Sequence, residues 1–131
     1  MNLVLAIACD AATVSPHGKL DVQGIYNELS APDFPAAQER LTVVLVLEWS
    51  ARDAGEQPIR ADLIGPDGAL VVTIQGHTEV ELGPDNEIPP QTRMILPLDN
   101  VVFQQPGRHF FRVKAGADTV EALPLYVSRQ R

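Results

Sequence analysis

A chain of 131 residues with 45% hydrophobic and 21% charged side chains has globular proportions, enough to bury roughly two-thirds of its unfolded surface in one domain and too little for a second. That composition excludes global disorder. The formal net charge of -7 repels phosphate backbones and anionic headgroups within about a Debye length, so neither nucleic acid nor a membrane surface is an expected partner.

The first run, Leu3–Cys9, has only six apolar residues before its cysteine and no Lys or Arg ahead of it. It therefore falls short of a secretory signal and reads as a first strand. Leu3, Leu5, Ile7 and Cys9 alternate onto one face, the expected core side. Cys9 is the only cysteine, so no internal disulfide is possible and the cytoplasm is the expected compartment. In phase with leucines, its thiol reads as a small buried hydrophobe and not as a nucleophile.

Ser15-Pro16-His17-Gly18 places Pro and Gly where a type I turn needs them. It leads into a second run, Leu20–Leu29. The connection Asn27–Arg40 follows, with Phe34 between Pro32 and Pro35 and one possible helical turn at Ala36–Leu41.

The run Leu41–Trp49 differs from the others, because Val44 and Val46 make its second face apolar beside Leu41, Val43, Leu45 and Leu47. Such a strand is covered on both faces or uses one as an interface. A homodimer through Val44 and Val46, with Glu48 and Arg52 at its rim, is one expectation. Cover by a long connection such as Asn27–Arg40 is the other.

Further strands are expected at Ile59–Ile64, Leu70–Val80, Arg93–Phe103, Arg108–Lys114 and Thr119–Val127, separated by turn signals. Gly65-Pro66-Asp67-Gly68 and Ala115-Gly116-Ala117-Asp118 read as hairpin turns, and Gln105-Pro106-Gly107 as a reversal. Leu70, Val72 and Ile74 should face the core, as should His109, Phe111 and Val113, and Leu123, Leu125 and Val127. Eight such runs with 11 prolines and 9 glycines between them specify an all-β, antiparallel two-sheet sandwich spanning residues 1–131.

No Gly-rich phosphate loop, His-Glu-x-x-His, Gly-x-Ser-x-Gly or paired-cysteine spacing is present in the sequence, so no catalytic residue, cofactor or metal ligand is assigned. His17 and His77 read as solvated. Asp10, Asp33, Asp53, Asp67, Asp85 and Asp99 sit where turns favour Asp, which accounts for them without calcium. Trp49, Tyr26 and Phe34 are too few to line a ligand groove and are expected to pack.

Ala6-x-x-Cys9-Asp10, His17-Gly18-Lys19-Leu20, Gly24-x-Tyr26 and Phe34-Pro35, leading into Leu41–Trp49, resemble a family of small uncharacterised bacterial proteins, a domain of unknown function. Pro106-Gly107-x-x-x-Phe111-x-Val113 is similar to the penultimate hairpin of many immunoglobulin-like sandwiches. The resemblance implies an immunoglobulin-like fold and carries no activity, cofactor or catalytic residue. His17 stands where the family pattern would place Asp or Asn, which argues against a cation in that turn. The function expected is a non-enzymatic interaction or structural module with a protein partner, itself included. The alternative is a small-molecule or cation-binding sandwich.

Overall fold

The structure, a computed structural model, describes residues 1–85 and 87–130. Nine strands are present among the described residues. They are β1 (Asn2–Val14), β2 (Leu20–Tyr26), β3 (Glu28–Ala31), β4 (Ala36–Glu48), β5 (Gly55–Ile64), β6 (Leu70–Val80), β7 (Gln91–Phe103), β8 (Gly107–Ala115) and β9 (Asp118–Arg129). They form a four-stranded sheet ordered β2-β1-β4-β7 and a five-stranded sheet ordered β3-β9-β8-β5-β6. All neighbours pair antiparallel except β3 with β9.

The ninth strand arises because the run Leu20–Leu29 breaks at Asn27. Its first part, β2, pairs with β1 in one sheet, and its second, β3, crosses to β9 in the other. Ala36–Leu41 is not a helical turn: it opens β4 and pairs with β7 from Ala36↔Phe103 onward. The one helical turn is instead Ala51–Asp53, where the Asp53 carboxylate accepts from the Ser50 amide and hydroxyl. Those bonds hold the Asp53 pKa below its usual value. Both Pro-x-Gly turns form, with Gly18 and Gly68 amides donating to the Ser15 and Gly65 carbonyls.

Between the sheets lies one apolar core built from Leu41, Val43, Leu45 and Leu47 of β4 against Leu63 of β5, Phe111 and Val113 of β8, and Leu125 of β9. His109 joins it, its ring edge-on to Phe103 at 5.0 Å. Two expected core positions lie elsewhere. A register shift between Leu3 and Leu5 in the β1–β4 ladder inverts the alternation, so Ala6 and Ala8 face the core and Leu5 stays 37% exposed. An irregularity at Leu63/Ile64 similarly leaves Leu70 outside, 53% exposed, while Val72 and Ile74 pack inward.

Candidate interaction face

The second face of β4 is covered by the chain itself. Val44 is 0% and Val46 6% exposed, and Cys9, on the same outer side, is fully buried. In a flat ladder the β1–β2 tip would sit about ten residue steps, roughly 33 Å, beyond the row of Leu5, Val46 and Arg93. Yet Arg93 of β7 donates a hydrogen bond to the Gly18 carbonyl at that tip. The hairpin must fold back over the sheet to make that contact.

Its bend lies at Asp10 and Gly24, where the β1–β2 register is interrupted between Cys9↔Ile25 and Ala11↔Gln23. Gly24 has φ +67°, and a Cβ there would collide with the Asp10 carboxylate, so only glycine suits this corner. Beyond the bend Ala12, Leu20 and Val22 are half-buried while Thr13, Asp21 and Gln23 are exposed. The hairpin thus presents an apolar side to Val44 and Val46, and the cover is this hairpin and not the Asn27–Arg40 connection. Glu48 stays at the strand end, accepting from Gln91 at 3.4 Å, and Arg52 is exposed in the helical turn. The four residues therefore do not form one open patch.

The uncovered face is the outer side of the five-stranded sheet. Along β8 the residues opposite His109, Phe111 and Val113 in alternation are Arg108, Phe110, Arg112 and Lys114. Phe110 lies beneath two guanidinium groups, those of Arg108 at 5.6 Å and Arg112 at 5.9 Å from its ring centroid. Tyr126, paired with Arg108, is 45% exposed. Ile64 and Leu70 continue the apolar row from Phe110 across β5 and β6.

Next to that row stand Asp62, Thr73, Arg112 and Glu121, and then Arg60, Gln75, Lys114 and Thr119. Burial works against ionising Asp62, but the Thr73 hydroxyl at 2.7 Å and the Arg60 guanidinium at 3.0 Å keep its pKa below the usual value. Arg112 pairs with Glu121 at 3.8 Å. Arg108 and Lys114 make no ion pair among the described residues. The face ends at Pro58 and His77, then at Glu56 directly opposite Glu79. A recess of about 310 Å³ is lined there by Pro58, Arg60, Gln75, His77 and Lys114.

The other residues singled out in the sequence are placed apart from this face or satisfied locally. The Cys9 thiol reaches the Thr42 carbonyl at 3.6 Å, and burial raises its pKa, with Asp10 adding to the effect. His17 is exposed at the hairpin tip. Trp49 is buried and donates to Thr92 Oγ1 at 2.9 Å. Phe34 packs beneath the Arg129 guanidinium, 5.4 Å from its centroid, and Tyr26 packs against the core.

Asp33 and Asp99 pair with Arg129 and Arg40, and Asp67 and Asp85 accept from amides two residues on. No group of three His, Cys, Asp or Glu side chains that could hold a metal ion occurs among the described residues. No helix there is long and apolar enough to cross a membrane. The aromatic-cationic row was readable from the alternation that put His109, Phe111 and Val113 inside, since the opposite parity is Arg-Phe-Arg-Lys.

No curated protein and no solved structure matches the chain. The model of the family of unknown function DUF6941 matches residues 4–128, and the chain belongs to that family.

Proposed function

We propose that this chain is a non-enzymatic protein-interaction module, an immunoglobulin-like sandwich whose protein partner docks on the outer face of the five-stranded sheet. The fold reading is supported by strand order. β1-β4-β7 and β9-β8-β5-β6 run as A-B-E and G-F-C-C′ do in immunoglobulin domains. One observation carries the interaction reading: Phe110 is set between Arg108 and Arg112 on a face that no hairpin covers. Aromatic and arginine side chains are the types that concentrate binding energy at interfaces.

Affinity capture from the native host with wild type and Phe110→Glu tests it. The expected result is a partner held by the wild type and lost by a variant of unchanged melting temperature. Identical captured proteins would remove the face from consideration.

A second reading, a small-molecule-binding sandwich, is favoured by a cleft of about 350 Å³ bordered by Ala6, Ile25, Asn27 and Leu123. Tyr26, at its edge, has a buried hydroxyl with no hydrogen-bond partner among the described residues. A ligand screen by thermal shift on wild type and Tyr26→Phe separates the two readings.

A further inference from the structure

The geometry points to a second copy of this chain as the partner, the two five-stranded sheets meeting face to face with their strands antiparallel about a two-fold axis; this rests on the interaction reading above. The argument is the order of side chains along the face. From one end it runs Glu56 and Glu79, then Pro58 and His77, then Arg60 and Lys114, then Asp62, Arg112 and Glu121, then Ile64, Leu70 and Phe110, and last Arg108 with Tyr126.

Reversing this order and laying it on itself brings unlike features together at every level. Arg108 meets Glu56 and Glu79 of the other copy. Phe110 and Leu70 meet the recess lined by Pro58 and His77. The carboxylates of Asp62 and Glu121 meet Arg60 and Lys114. A two-fold interface must be self-complementary in this way, since each contact occurs twice.

Two features that a lone chain leaves unfavourable are answered by the pairing. Glu56 and Glu79 oppose one another directly across the β5–β6 ladder, an arrangement of like charge that weakens a sheet. Arg108 and Lys114 make no ion pair within the described residues. In the pair, an arginine of the other copy neutralises the glutamates. Five strands at ~4.8 Å spacing and eight residue steps of ~3.3 Å give roughly 600 Å² per copy. The total, about 1,200 Å², lies at the lower limit of stable interfaces. The dimer is therefore expected to be weak and, with charges at both ends, sensitive to salt.

Sedimentation equilibrium on the full chain is the test. The wild type should be dimeric at high micromolar concentration in low salt and dissociate as salt is raised. Arg108→Glu and Glu79→Arg should each weaken self-association about tenfold or more, because every substitution sets like charges together twice. Mixing the two variants should restore a one-to-one dimer, since each variant then faces its opposite. Arg108→Gln and Glu79→Gln, which only remove charge, should shift the equilibrium the same way by less and guard against misfolding of the reversed variants.

A wild type that stays monomeric, single variants that dimerise as before, or a mixture that stays monomeric would each overturn self-pairing. Loss of a different captured protein by Phe110→Glu would still support the face itself, so failure of the dimer and failure of the face are told apart.

Discussion

Arg93 and Gly18, 75 residues apart in sequence, are joined by a hydrogen bond that fastens the β1–β2 hairpin across the outer face of the four-stranded sheet. Beneath it lie Cys9, Val44 and Val46, all buried. Removing the tether should increase the fraction of time the hairpin is lifted, and Cys9 reports this directly. Arg93→Ala is expected to raise the rate of Cys9 labelling by a thiol reagent severalfold in the folded protein. The wild-type thiol should react far more slowly than a free cysteine, since it is buried and its pKa is raised. Equal rates in both proteins would mean the tether does not hold the hairpin down.

His109 should control the acid limb of stability. Burial depresses its pKa below 6.5, while the Gly107 carbonyl, 3.2 Å from Nδ1, and the Asp67 charge oppose the shift. Because the folded pKa is the lower one, the unfolded chain takes up the proton first as pH falls. The contribution is complete above about pH 6.5 and is lost below it, through the depressed folded value. Asp53 and Asp62, held below 3.8, lose theirs in a separate window nearer pH 3. Urea midpoints at pH 7.5 and pH 5 should therefore differ for the wild type and converge for His109→Leu. A wild-type midpoint that is flat across this range would show that His109 is not held neutral by burial.

Thr92 joins three elements through one hydroxyl, accepting from Trp49 Nε1 at 2.9 Å and lying 3.2 Å from Thr78 Oγ1. It thereby closes the sandwich between β6 and β7, edge strands of different sheets. Thr92→Val keeps the shape but leaves the buried indole N–H unpaired, which costs about 1–3 kcal/mol. The melting temperature should fall by roughly 4–12 °C, and the emission of Trp49, the only tryptophan, should shift. Thr92→Ser should retain most of the stability. If Thr92→Val melted with the wild type, the hydrogen bond would be contributing nothing.

How much of this was legible depended on whether the controlling interaction was local. The Ser15–Gly18 and Gly65–Gly68 turns are specified by their own residues and form as read. The two-faced character of β4 was visible as seven consecutive residues, Leu41–Leu47, all of which are buried. Its cover was not, because the fold-back depends on a corner at Asp10 and Gly24 and on a contact to Arg93 from the other edge of the sheet. The alternation also assigned Leu5 and Leu70 to the core, and register irregularities beside each one reversed their side. Such irregularities arise from pairing with a distant strand and have no mark in a single run.

Val44 and Val46 give the sharpest test of which solution the chain adopted for its two-faced strand. If the hairpin is the cover, Val44→Lys places an ammonium where the side chain is 0% exposed, with no carboxylate assigned to it. An unpaired buried charge costs roughly 3–5 kcal/mol, a large part of the ~5–15 kcal/mol that holds a domain folded. Val44→Lys should therefore unfold the protein at ordinary temperature or leave it with a lifted hairpin and a reactive Cys9. Val46→Lys should be milder, since Val46 is 6% exposed and a lysine stem can carry its charge toward solvent. Arg52→Glu, at an exposed position, should change little. Circular dichroism melts and thiol labelling read all three variants. A Val44→Lys variant that is fully folded and monomeric, beside a dimeric wild type, would instead make the face of β4 the dimer contact and the hairpin a segment displaced on association.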